Sequence, residues 1–260
     1  MIRFGLFIIG DEILSGKRQD KHLAKVIELM AARGLQLSWA RYLGDDRADL
    51  VAALRQSFAS EDVVFSCGGI GATPDDHTRQ AAAAALDRPL VLHPEARALI
   101  QSRILEMAEE GKAPRDLTAP ENLQRLKMGE FPQGARIVSN PFNKIPGFNV
   151  GQHWFVPGFP VMAWPMIEAV LDQHYAEHFH AEARADQSMQ VLDLAESTLA
   201  PLMEEVERLF PAVKVYSLPS VGADGSRRPI ELGVKGPSSG LDSAFERLRQ
   251  GVLALGGRLD

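Results

Sequence analysis

Three apolar runs, residues 2–9, 35–39 and 62–66, each lead into a segment of helical period, and this alternation constrains the fold more than any other feature of the chain. In the first such segment, residues 20–33, Leu23, Val26, Ile27 and Met30 recur at i, i+3, i+4 and i+7 before Gly34, a residue type that ends helices. The second follows the turn Gly44-Asp45-Asp46 and carries Leu50, Val51, Leu54 and Phe58; the third runs from Pro74 through Ala85. Successive β–α units predict a parallel sheet covered on both faces. Parallel strands deliver every following loop to one sheet edge, where open α/β sheets bind ligands. The loops delivered there are Gly10-Asp11-Glu12-Ile13-Leu14-Ser15-Gly16, Gly44-Asp45-Asp46 and Cys67-Gly68-Gly69-Ile70-Gly71-Ala72-Thr73-Pro74-Asp75-Asp76, each polar, glycine-bearing and acidic.

The third loop joins a phosphate-cradling turn to two carboxylates. Its glycines let backbone N–H groups approach phosphate oxygens, and Thr73-Pro74 reads as a helix start with Thr as N-cap and Pro at the first helical position. Asp75 and Asp76 then have two readings. They complement the helix dipole and close a capping-box-like pair, or they hold Mg²⁺ or a similar hard cation that bridges to substrate phosphates. Cys67 is the only cysteine, which excludes an internal disulfide framework and a multi-Cys zinc site. No base stands beside it in sequence, so a small apolar strand residue is the expectation rather than a nucleophile.

Beyond residue 90 a helix is expected over Pro94–Glu110, a Gly/Pro-rich linker around Gly111–Pro120, a short helix over 120–127, strands at Ala135–Val138 and His153–Val156, and a helix over 161–178. The loop between the strands offers Asn140 and Lys144 as ligand contacts, although its prolines alone explain most of its composition. After a polar, alanine-rich stretch at 180–186 comes a second unit: strand 189–194, helix 197–210, strand 212–218, a hairpin turn at Gly222-Ala223-Asp224-Gly225, strand 229–235 and helix 240–254. The expected architecture is therefore a three-layer α/β domain over 1–180 and a small α+β domain over 187–260. The second concentrates no catalytic residue types, so interaction, dimerisation or lidding suits it better than chemistry.

A formal charge of −6 and a pI near 5.7 give no basic footprint for nucleic acid, and the apolar start runs into Asp11-Glu12 too soon to span a bilayer. A cytoplasmic protein with no nucleic-acid or membrane partner is expected.

The three loops, together with Pro157-Gly158-Phe159-Pro160, resemble in order the motifs of the molybdopterin-binding domain family, in its competence/damage-inducible protein A branch, over roughly residues 1–178. The resemblance implies a MoaB/Mog-like fold, a homo-oligomer, and one of two functions. Members of the branch are associated with Mg²⁺- or Co²⁺-dependent hydrolysis of nucleotide diphosphates such as ADP-ribose, whereas other members bind molybdopterin or adenylate it. Full-length members of the branch often add a nicotinamide-mononucleotide amidohydrolase domain, for which these 260 residues leave no room. By position, Asp11, Asp45 and Asp76 are the implied catalytic acids, and Glu12, Asp45, Asp75 and Asp76 the implied metal ligands. Gly10, Ser15, Gly16, Gly68, Gly69, Gly71, Thr73, Asn140 and Lys144 are the expected substrate contacts. Departures from the pattern are Cys67, Ala72, His77 and His22, standing where Thr, Pro, an apolar residue and Asn are usual. His77 faces either the ligand or the helix surface, and His22 is equally open.

Overall fold

The computed structural model describes residues 2–181, 184–220 and 229–260, and they form two compact units, 1–179 and 180–260. In the first, β1 (Phe4–Ile9) is followed by α1 (Asp11–Leu14), α2 (His22–Ala31), β2 (Leu37–Leu43), α3 (Arg47–Phe58), β3 (Val63–Cys67) and α4 (Thr78–Ala85). Then come β4 (Leu90–Leu92), α5 (Pro94–Glu109), α6 (Pro120–Leu126), β5 (Glu130–Pro132), β6 (Arg136–Val138), β7 (Gly147–Val150), β8 (His153–Val156) and α7 (Pro160–His174).

Six strands make one sheet in the order β2-β1-β3-β8-β7-β6. The first four are mutually parallel, as the β–α alternation predicts, and the hairpin-joined β6 and β7 add an antiparallel edge. All six residues of β1 are buried. Phe4, Leu6 and Ile8 face α2 and α7, where Val26, Met30, Met166 and Ile167 pack, while Phe7 and Ile9 join Leu50, Leu54, Ala81 and Ala82 of α3 and α4. These two cores are the outer interfaces of a three-layer α/β domain. The second is extended by a stack of Phe131, Phe148 and Phe155 with centroids 4.8 and 4.2 Å apart.

Local chemistry sets the element ends. Gly34, at φ +68°, closes α2 in a Schellman motif, its N–H donating to the Ala31 carbonyl and that of Leu35 to Met30. Asp46 caps α3 by accepting from the amides of Ala48 and Asp49.

The expected start of α4 is corrected. The helix begins at Thr78, not at Thr73-Pro74. Thr78 is drawn into the glycine loop, its hydroxyl donating to the Gly68 carbonyl at 3.0 Å and its amide to the Gly69 carbonyl at 3.0 Å, so the loop stays open four residues longer. Thr73-Pro74-Asp75-Asp76 is instead a β-turn closed by the Asp76 amide on the Thr73 carbonyl, with proline in its favoured second place. Three short strands of this unit were missing from the sequence reading: β7, and the β4–β5 pair that forms its own antiparallel sheet.

At the sheet edge remote from the loops after β1 and β3, His153 is 2% exposed, meets Ser57 Oγ through Nε2 at 2.6 Å and lies 4.1 Å from the Phe58 ring. Burial pushes its pKa down from 6.5 to about 4. Between those values only the unfolded chain takes up the proton, so the stabilisation is complete above about pH 6.5 and is lost as pH falls toward 4. The loss at the acid end is about 3 kcal/mol. Urea unfolding at pH 7 and pH 4.5 is expected to show it, and His153→Gln to flatten that part of the pH dependence; an equal slope in the variant would assign the acid sensitivity elsewhere.

The second unit contains β9 (Arg184–Leu192), α8 (Glu196–Leu209), β10 (Lys214–Leu218), β11 (Ile230–Pro237), α9 (Leu241–Ala254) and β12 (Arg258–Leu259). Its antiparallel sheet, ordered β10-β11-β9-β12, is covered by both helices through Leu199, Val206, Leu232, Val234, Leu248 and Val252. This is the expected α+β unit, with β9 starting earlier than predicted and β12 added. The hairpin expected at Gly222–Gly225 lies outside the described residues.

Candidate functional site

Strand order reverses direction at β1: the chain moves outward to β2, then returns across to β3. The carboxyl ends of β1 and β3 therefore form a switch-point crevice. The two loops touch there, because a Cβ on Gly68 (φ +111°) would lie 2.3 Å from the Ile9 carbonyl oxygen. The turn after β8 closes over the same place, with Gly158 packed on the Gly68 Cα. Together they wall a cleft of about 730 Å³.

One wall is the glycine loop, whose carbonyls are held from behind. Gly68 and Gly69 carbonyls accept from Thr78, that of Gly71 from Arg79 Nη2 at 2.6 Å, and that of Ala72 from Gln124 Nε2 at 2.5 Å. In a trans peptide the C=O and the following N–H point opposite ways. The amides of Gly69, Ile70 and Ala72 are thereby turned away from these anchors, on residues that line the cleft. Loop amides without an internal partner are donors of the kind that binds anions. Two other amides in the loop are spent on Asp76: Gly71 N–H donates to its Oδ1 at 2.9 Å, and Thr73 N–H and hydroxyl to its Oδ2 at 2.8 and 2.5 Å. Gly68 N–H donates to the Val156 carbonyl.

The facing wall is acidic. Asp11 and Asp45 brace their two loops reciprocally, the Asp11 amide donating to Asp45 Oδ2 at 2.9 Å and the Asp45 amide to Asp11 Oδ1 at 3.2 Å. Asp45 and Glu12 line the cleft; Asp11 stands directly behind Asp45. Partial burial pushes the Asp45 pKa up, and the nearby charges of Asp11, Glu12 and Asp75 push it the same way against the Asp11 amide. Asp75 and Asp76 complete the wall beside the glycine loop.

Among the described residues no group of three or more His, Cys, Asp or Glu side chains is arranged to hold a metal. At Asp76 both oxygens accept from loop donors.

Of the other expected contacts, Gly10, Gly68, Gly69, Gly71, Thr73 and Asn140 line the cleft, whereas Ser15 and Gly16 are exposed outside it. The Asn140 amide is committed to its own loop, accepting from Phe142 N–H and donating to Asn143 and Ile145, so it shapes the wall. Lys144, at φ +64°, lies outside the wall and pairs with Glu106 of α5. His77 is half-buried ahead of α4 and does not line the cleft. Cys67 is buried, its thiol pushed far up by burial, which makes it a core residue. His22 is buried, with Nε2 3.0 Å from the Gly158 carbonyl, in a side cleft of about 320 Å³ that shares Glu12, Arg18, Gly158 and Phe159 with the main one.

Sequence reasoning missed Lys17 and Arg18, the cations on the cleft rim, and gave no site role to Phe159 of the fourth motif, which is 57% exposed there. Two adjacent cations directly after Gly16 were the available signal.

The sequence matches the family described as the probable molybdopterin binding domain over residues 5–176. The CinA-like protein of Escherichia coli K12 is 30% identical over 263 residues, covering 99% of this chain and 61% of that protein. The CinA-like protein of Syntrophotalea carbinolica is 30% identical over 220 residues, 80% of this chain and 51% of its own length. A protein of Aeropyrum pernix is 29% identical over 268 residues, 99% of this chain and 96% of its own. The chain thus spans about half to three-fifths of the two CinA-like relatives and nearly all of the archaeal one. Among solved structures, CinA of Thermoplasma acidophilum, a protein of unknown function, superposes with a TM-score of 0.54 at 28% identity, covering 65% of this chain and 96% of that one.

Proposed function

Because this chain belongs to the molybdopterin-binding domain family, we propose that its cleft takes a phosphorylated small molecule and that it hydrolyses nucleotide diphosphates such as ADP-ribose with Mg²⁺ or Co²⁺. One observation carries the reading: Gly69, Ile70 and Ala72, whose amides carry no internal hydrogen bond among the described residues, line one cleft together with the carboxylates of Glu12 and Asp45. Amides suit the phosphate oxygens. The all-oxygen donor set suits a hard cation, and Asp45, raised in pKa by burial and further by the charges of Asp11, Glu12 and Asp75, is a carboxylate whose ionised form a cation would favour. A cation of this kind is commonly held by one or two carboxylates together with substrate phosphates, so a pair such as Asp45 and Glu12 is sufficient.

When bound, the cation supplies neutralisation of the diphosphate charge and acidification of water. The amides of Gly69, Ile70 and Ala72 orient one phosphate, and Lys17 and Arg18 attract the other. Glu12, on the cleft wall, takes the proton as water oxygen bonds to one phosphorus and the bridging oxygen leaves with the second phosphate, while Asp11 holds the Asp45 loop in place. Phe159 offers a face on which a base or pterin stacks.

A second reading is a binding module that holds molybdopterin without turnover. It is favoured by the engagement of both Asp76 oxygens within the loop, which leaves Glu12 and one oxygen of Asp45 as the acids available on that wall. Phosphate release from ADP-ribose, FAD and NAD, measured through a coupling phosphatase with Mg²⁺, Co²⁺ or EDTA, separates the two. Metal-dependent cleavage is expected; saturable molybdopterin binding with no cleavage in any metal would replace the hydrolase with the binding module.

A further inference from the structure

Directly behind the glycine loop, Arg79 is 2% exposed. Its Nη2 donates to the Gly71 carbonyl at 2.6 Å and its Nη1 to the Lys127 carbonyl, while Nε is buried with no acceptor. Among the described residues it has no ion-pair partner within bridging distance. Asp76 and Glu130 act on it from further away, and burial outweighs them, pulling its pKa down. A buried charge without a neutralising contact is costly, so holding carbonyls is a poor reason to keep one. The next peptide makes the comparison: the Ala72 carbonyl is held by Gln124, a neutral donor. The charge of Arg79 is therefore surplus to the hydrogen bonding it performs.

We propose that Arg79 is a positioning residue for the ligand, its buried charge completing an ion pair across the glycine loop with a phosphate held by the loop amides, so that the cleft selects ligands carrying more than one negative charge at that end. The proposal rests on the reading that the loop holds a phosphate. The Gly71 carbonyl, drawn toward the guanidinium, turns the Ala72 amide to the ligand side, and the charge adds attraction through a thin, poorly screened layer of backbone. Geometry and field thus come from one side chain.

The test is calorimetric titration of inorganic pyrophosphate, and of inorganic phosphate, into wild type, Arg79→Gln and Arg79→Lys in the presence of Mg²⁺. Gln keeps a donor for the Gly71 carbonyl and loses the charge; Lys keeps the charge. Arg79→Gln is expected to weaken pyrophosphate binding about 30-fold, phosphate binding less, and Arg79→Lys to recover most of the loss. Pyrophosphate affinity in Arg79→Gln equal to wild type would overturn the proposal. If the variants do not fold, ¹⁵N-arginine spectra of the wild type take their place: saturating pyrophosphate is expected to shift the Arg79 Nε–H resonance and slow its exchange, and an unmoved resonance overturns the proposal. Absence of pyrophosphate binding by the wild type removes instead the underlying phosphate reading.

Discussion

Asp45→Asn is expected to lower metal-dependent hydrolysis of a nucleotide diphosphate by about 10²–10³-fold, the range for loss of a charged group that acts on the transition state. The same change is expected to leave the fold intact or slightly more stable. Asparagine keeps an oxygen to accept the Asp11 amide, now at 2.9 Å, and removes one of the negative charges that Asp11, Glu12 and Asp75 crowd together. Opposite movements of activity and stability distinguish a carboxylate kept for chemistry from one kept for structure. Steady-state kinetics with a Mg²⁺ titration, beside a thermal melt, read both. Unchanged kcat and metal dependence would take Asp45 out of the mechanism.

Gly68→Val is expected to destabilise the first unit by about 4 kcal/mol, from two penalties of about 1–3 kcal/mol each: a forbidden backbone conformation and overpacking. Gly68 sits at φ +111°, and its added Cβ would stand 2.3 Å from the Ile9 carbonyl, a backbone atom fixed in the central strand. Gly111 provides the control. It too has positive φ, at +71°, but nothing lies within 4 Å of its Cβ position, so Gly111→Ala carries only the left-handed strain of roughly 1–2 kcal/mol. Denaturant midpoints of the two variants should differ accordingly, and similar costs would mean that the β1 and β3 ends can move apart.

How legible this was in the sequence depends on range. β1, β3 and β8 are continuous buried runs, and α2 and α5 have near-complete periodicity or a proline start, so local pattern sufficed. The start of α4 was misread because Thr73-Pro74 has the right local chemistry for a cap, while the bonds that decide the matter tie Thr78 to carbonyls nine and ten residues back. β7 is four residues long and hidden behind Pro146. At the site, the three loop motifs and their convergence were legible from strand order alone. Lys144 was not, because its partner Glu106 lies 38 residues away. Nor was Arg79, since an arginine in an alanine-rich helix ordinarily reads as a solvated one.

The engagement of Asp76 has a consequence for affinity. Any ligand oxygen that takes the Gly71 and Thr73 amides must first evict a carboxylate already seated on them. Occupation of those two amides, unlike that of the free amides of Gly69, Ile70 and Ala72, is an exchange of one anion for another, and its equilibrium constant is a ratio rather than an absolute strength. An incoming group gains there only by the margin through which it outcompetes the resident side chain.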